Sequence, residues 1–145
     1  MRFNRAVQYG IEGLSVLARA DRRRSTMLRE ISRATAISEA FLGKIFQKLV
    51  RSGLVRSRRG FRGGFFLARP ASQITLREVI EALEGPISFP LRKRSASGET
   101  SPETARRGSL HQSLERAQAK VRAVLEETTV ADLTSSGLAS GEKLV

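Results

Sequence analysis

Val7, Ile11, Leu14 and Leu17 recur at steps of three and four, the period of one helix face, and predict a helix over about 4–20. The polar stretch "DRRRS" breaks that pattern. Leu28 and Ile31 mark a short second helix, about 27–34. "TAIS" reads as a tight turn, with Ser38 as the N-cap of a third helix running to about Ser52. Leu42, Ile45, Phe46 and Leu49 form its apolar face; Gly43, Lys44, Gln47, Lys48 and Arg51 lie opposite. Gly53 stands where a C′ glycine closes a helix.

Two short strands are predicted next, Leu54 to Arg58 and Phe65 to Ala68, the second closed by Pro70. Between them lies the glycine-rich, arginine-rich tip of "VRSRRGFRGGFFLARP". Thr75 with Glu78 makes a capping box for a helix carrying Leu76, Val79, Ile80 and Leu83, stopped by Gly85 and Pro86. Residues 86–103 show no period and read as a loop. Leu110, Leu114, Ala117, Val121 and Val124 then alternate steps of four and three along a helix of about 104–127. So narrow a seam is what one helix buries against another. Thr129 and Asp132 suggest a last capped turn, and residues 134–145 read as a tail.

Two helices joined by a tight turn and followed by a glycine-tipped hairpin make a winged helix-turn-helix. The fold class expected is mainly α with a small β-hairpin wing, plus a long C-terminal dimerisation helix. Its division is 1–85 for the winged domain, 86–103 for a loop, 104–133 for the dimerisation helix and final turn, and 134–145 for a flexible tail. A helix-turn-helix seats its second helix in the major groove of DNA with its N-terminal end towards the bases. Arginine on the wing can enter the minor groove, where the potential is most negative. The plainer reading of the tip is an ordinary loop with glycines for turning.

Charge favours the DNA reading. The chain has 145 residues and a formal net charge of +12. Residues 1–69 carry 16 Lys and Arg against 4 acids, whereas residues 70–145 carry 10 of each. A merely solubilising surface would not need that segregation; a polyanion partner for the front half would. There is no cysteine, which excludes disulfides, thiolate metal sites and thiol nucleophiles. No apolar run approaches a membrane span. Charges and glycines in "MRFNRAVQYGIEG" interrupt any signal-peptide core, so a cytoplasmic protein without membrane association is expected. With one histidine and no suggestively spaced carboxylate pair, no catalytic constellation is visible, and the chain is not expected to be an enzyme.

The segments "AVQYGIEGLSVLA", "LREISRATAISEAFLGKIFQKLVRSGLVRSRRG", "GGFFLARP", "ITLREVIEALEG" and "VLEETTVADL" carry a resemblance. Over about 1–133 the chain resembles the IscR/NsrR family of bacterial winged-helix transcription regulators. The resemblance implies a homodimer in which a long C-terminal helix crosses its partner, each subunit reading half of a near-palindromic operator on double-stranded DNA. It places the base-reading region on Ser38 to Lys44 and a wing arginine on Arg59. The expected DNA-binding set is Ser38, Glu39, Phe41, Lys44, Gln47, Lys48, Arg51, Arg58, Arg59 and Arg62, with Lys48 on phosphate. The expected dimer seam is Leu110, Leu114, Ala117, Val121 and Val124.

This chain departs from the family's pattern in several places. Phe41 stands where a tyrosine is common, and Gly43 where a glutamate often is, so a carboxylate able to accept from cytosine N4 is missing. The wing "GFRGGF" differs from the usual "GPGGGY". Many members hold an iron–sulfur cluster on three cysteines before the dimer helix; here those positions fall on Ala96, Pro102 and Gly108. Ser95 and Ser101 lie near two of them, with no third serine in register. Gln8 stands where some members use an acidic fourth ligand. His111, the single histidine, falls where one branch uses a ligand, although a surface histidine beside the seam is the simpler reading. A regulator without cofactor or metal follows, with any small-molecule effector left open. The competing reading is a basic RNA- or ribosome-associated module that grips nucleic acid without sequence preference.

Overall fold

The computed structural model of the chain describes residues 3–88 and 102–136. Most of the expected 86–103 loop, with Ser95, Ala96 and Ser101, lies outside the described residues, as does the tail beyond 136. Six α-helices and one hairpin are described: α1 (Arg5–Arg19), α2 (Leu28–Thr35), α3 (Glu39–Arg51), β1 (Val55–Arg58), β2 (Gly64–Leu67), α4 (Leu76–Glu84), α5 (Pro102–Glu127) and α6 (Val130–Ser135). A single 3-10 turn, Ala71–Gln73, joins the hairpin to α4; no periodicity announces so short an element.

The core forms where the apolar stripes of α1, α3 and α4 meet. Val7, Ile11, Leu14 and Leu17 of α1 face Leu42, Ile45, Phe46 and Leu49 of α3 and Val79, Ile80 and Leu83 of α4, all buried. Gly13 lets α3 come close: a Cβ there would lie 2.8 Å from the Phe46 ring. Ile31 of α2 and Ile37 of the turn close the second side. That turn reverses at Ala36, whose φ of 57° is left-handed, and Ser32 Oγ donates to the Ile37 carbonyl at 2.6 Å. Ser38 then caps α3, its hydroxyl accepting from the Phe41 N–H at 3.3 Å.

The hairpin is antiparallel, with Val55 opposite Leu67 and Arg58 opposite Gly64. Side chains alternate between its faces. Val55 and Leu67 therefore enter the core, and Phe65 lies against Phe46 with ring centroids 4.9 Å apart.

The final turn, α6, packs back against α1 and the 3-10 turn. Val130 is fully buried, its N–H donating to the Ile74 carbonyl at 2.9 Å. Leu76 N–H reaches the Thr128 carbonyl at 2.8 Å, and the Thr134 hydroxyl donates to buried Ser15 of α1 at 3.2 Å. Helix α5 is thus anchored at its C-terminal end. Arg77 of α4 pairs with Glu126 at 2.9 Å and Glu81 at 3.5 Å, and Arg122 donates to the Ile87 carbonyl. The helix starts at Pro102, two residues before the sequence expectation, and proline suits a first helical turn. Its 26 residues correspond to about 39 Å of rise.

Candidate nucleic-acid interface

Helix α3 divides as its pattern predicts. One face is the buried stripe; Ser38, Glu39, Phe41, Lys44, Gln47, Lys48 and Arg51 are all exposed. Phe41 is 47% exposed on the first turn, its ring held edge-on by Tyr9 at 5.5 Å. Gly43 has no steric duty, because an added Cβ would meet only Leu28 at an ordinary 3.7 Å. A glycine inside a helix costs roughly 1 kcal/mol against alanine. The outer face of α3 therefore carries a glycine that packing does not require.

One expected side chain is differently engaged. Lys48 Nζ donates to the Leu83 carbonyl at 3.2 Å, near the C-terminal end of α4. A helix C-terminus attracts a cation, so Lys48 ties α3 to α4 as well as lying on the exposed face.

The wing is built for a rigid tip. Gly63 N–H donates to the Gly60 carbonyl at 2.9 Å, closing a four-residue turn with Phe61 and Arg62 at its corners. Gly60 has φ +110°, which a side chain would strain. Thr26, in the loop between α1 and α2, exchanges two backbone hydrogen bonds with Phe65, both 2.8 Å. Gly64 permits that approach, since a Cβ would stand 2.3 Å from the Thr26 oxygen. Ser25 Oγ adds a bond to the Arg62 carbonyl at 2.7 Å. These three attachments, at Ser25, Thr26 and Gly64, had no sequence signal, because they join segments some forty residues apart.

Arg56, Arg58, Arg59 and Arg62 are all exposed around the wing, with the Arg58 guanidinium resting 5.6 Å from the Phe66 ring centroid. Arg56 and Phe61 are absent from the sequence-derived set; an aromatic wedged between Gly60 and Arg62 is the signal that could have found Phe61. No acid occurs between Glu39 and Glu78, a span holding Lys44, Lys48, Arg51, Arg56, Arg58, Arg59, Arg62, Arg69 and Arg77. The two arginines nearest α4 are neutralised locally. Arg69 bonds Glu78 at 2.7 Å, and Arg77 pairs as described. Burial pushes the Glu78 carboxyl up, but hydrogen bonds from Thr75 and the Arg69 guanidinium outweigh it and hold the group below its usual range. Capping and neutralisation thus meet at α4, away from the exposed cations of α3 and the wing.

Residues 3–136 match the Rrf2 family, described as iron-dependent transcriptional regulators. The chain belongs to the Rrf2 family. It is 35% identical to the transcriptional regulator IscR of Cereibacter sphaeroides over 140 residues, covering 92% of this chain and 86% of that protein. It is also 35% identical over 136 residues to protein aau3 of Rhizobium meliloti, covering 94% and 86% respectively. Among solved structures it resembles CymR, the global cysteine regulator of Bacillus subtilis, with a TM-score of 0.71 and 31% identity over 94% of this chain and 98% of that one. IscR and CymR are regulators rather than enzymes, and the fold is the family's winged helix. The expected IscR-like membership and winged-helix class therefore hold.

The iron in the family description does not suit this chain's donors. There is no cysteine anywhere in the sequence. His111 Nε2 lies 3.0 Å from Glu115 Oε1 one helical turn on, and Gln8 Nε2 donates to Glu12 at 3.2 Å. Gly108 lies on α5, where an added Cβ would meet nothing within 4 Å among the described residues. Among the described residues no three His, Cys, Asp or Glu side chains gather to hold a metal. Iron–sulfur clusters are held by thiolates, with histidine replacing some of them in certain sites.

The Rrf2 chain also leaves its α5 seam open. Leu110 is 59% and Val124 60% exposed; Ala117 is exposed, and Leu114 and Val121 are half-buried. Leu125 is the α5 side chain that packs on the protomer's own core. No described helix is long and apolar enough to cross a membrane.

Proposed function

We propose that this DNA-binding regulator acts in the cytoplasm as a homodimer on a near-palindromic operator, without an iron–sulfur cluster. The observation that carries the reading is the stretch after Glu39, acid-free through the rest of α3 and the wing, in which one exposed helix face and one clamped tip present Lys44, Lys48, Arg51, Arg56, Arg58, Arg59 and Arg62. The N-terminal turn of α3, from Ser38 through Glu39 and Phe41 to Lys44, enters the major groove. Gln47, Arg51 and Lys48 follow the groove wall; Arg58, Arg59 and Arg62 carry the wing to the adjacent minor groove. The seam from Leu110 to Val124 supports the dimer, because an apolar stripe only partly covered by its own protomer gains most from a second copy. Selection of bound duplexes from a random pool, followed by sequencing, tests the reading. It should enrich an inverted repeat whose half-sites lie about one helical turn apart. No enrichment, with RNA and duplex DNA bound alike, would favour a nonspecific nucleic-acid module instead.

On the selected operator, Arg59→Ala should cost about 1–3 kcal/mol and relax the preference at one position. Arg51→Ala, on the groove wall, should weaken all sequences alike and make the salt slope shallower by about one per protomer. Filter binding to operator and scrambled duplexes separates the two effects; both variants silent on the operator would refute this docking.

Protein produced and purified without oxygen should be colourless. It should bind the operator equally well before and after chelation, since no thiolate set exists to hold iron. A brown preparation with stoichiometric iron and sulfide, losing both iron and operator binding on chelation, would overturn the cluster-free assignment.

A further inference from the structure

Phe61 is 95% exposed at the crown of the wing, the most exposed large apolar side chain among the described residues. An aromatic left in water there contributes nothing to the core. It sits at one corner of the Gly60–Gly63 turn, with Arg62 at the other corner and Arg59 just before the turn. The tip beneath it does not hang loose. The paired Thr26–Phe65 bonds and the Ser25–Arg62 bond clamp the hairpin to the loop between α1 and α2, and Gly64 permits the clamp. The arrangement is a clamped, glycine-shaped mount carrying one exposed apolar ring flanked along the chain by Arg59 and Arg62.

We infer that Phe61 is a wedge that enters the minor groove of operator DNA and partly opens one base step. The inference rests on the DNA-docking reading above and adds a residue and a mode of recognition to it. The chemistry is complementary. Arginines on either side are drawn to the minor-groove phosphates and to its negative potential. An apolar ring between them finds sugar faces and base-pair stacks, which unlike water gain from contact with it. Apolar side chains inserted in this way unstack a step and kink the duplex. Unstacking is easiest at pyrimidine–purine steps, so Phe61 should impose a preference for TA or CA/TG flanking each half-site without any hydrogen bond to a base. A mobile tip would lose rotational freedom on insertion; the clamp removes much of that loss beforehand.

The test uses the full chain and the operator recovered by selection, with 2-aminopurine placed at the flanking step. Wild-type protein should raise 2-aminopurine fluorescence and bend the duplex. Phe61→Ala should bind about tenfold more weakly, with the fluorescence rise abolished and the salt slope unchanged, because no charge is lost. Phe61→Leu, still apolar, should recover part of the affinity and of the bend. Replacing a flanking TA step by AA should weaken wild type several-fold and Phe61→Ala hardly at all. Unfolding temperatures should match across the variants, since the side chain is in solvent. If wild type binds the operator and Phe61→Ala binds it equally well, or weakens without altering fluorescence at any flanking step, the wedge is wrong and the docking reading stands. If wild type binds no duplex at all, the docking reading itself fails.

Discussion

Leu114→Glu should convert the protein to a monomer at low micromolar concentration and lower operator affinity by roughly two to four orders of magnitude. Leu114 is at the middle of a seam that its own protomer only half covers, while Leu125 and the buried Val130 anchor the far end of the same segment. The substitution thus leaves the winged domain's core untouched and places two carboxylates, one per subunit, in the proposed helix–helix contact. Burying unpaired charge costs several kcal/mol. Each winged domain would then bind its half-site alone, without the effective concentration a tethered second contact supplies. Sedimentation and operator titration read the two effects separately, and the unfolding profile checks that the protomer is intact. A variant still dimeric at that concentration would show that the seam is not the interface.

Operator affinity should fall by about a thousandfold between 50 and 200 mM salt. The exposed cations of α3 and the wing, Lys44, Arg51, Arg56, Arg58, Arg59 and Arg62, outnumber what a weak contact would need. With six or more phosphates neutralised per dimer, at about −0.9 each, the slope of log K against log salt should be steeper than roughly −5. The cations that pair internally, Arg69 and Arg77, should not contribute. An affinity flat across that range would mean the charge faces something other than phosphate.

Much of the candidate site was legible because its determinants are local. Spacing of apolar residues separated the two faces of α3, and capping chemistry marked Ser38, Thr75 and Thr129 as helix starts, as the bonds to Phe41, Glu78 and Asp132 show. Other starts were hidden. At α2 the preceding residue is Met27, a poor capping type, yet its N–H is satisfied by Glu30 at 2.7 Å. Phe61 escaped because periodicity is silent about a turn, and only the fold shows how far its ring projects.

By itself the sequence determined the helices of the winged domain, the hairpin, the two-sided character of α3, the segregation of charge and the absence of thiolate chemistry. Each depends on residue type or on neighbours within a turn or two. Tertiary structure decided what no local rule reaches. It brought Thr26 against Phe65 to clamp the wing, turned Lys48 onto the end of α4, and returned α6 to α1, where Thr134 meets Ser15 across 119 residues of sequence. It also left the α5 seam partly uncovered, with Leu110 and Val124 exposed. The physical reason is common to the three contacts: a contact between distant segments exists only after loop closure has been compensated by burial elsewhere, so it belongs to the packed whole rather than to either segment.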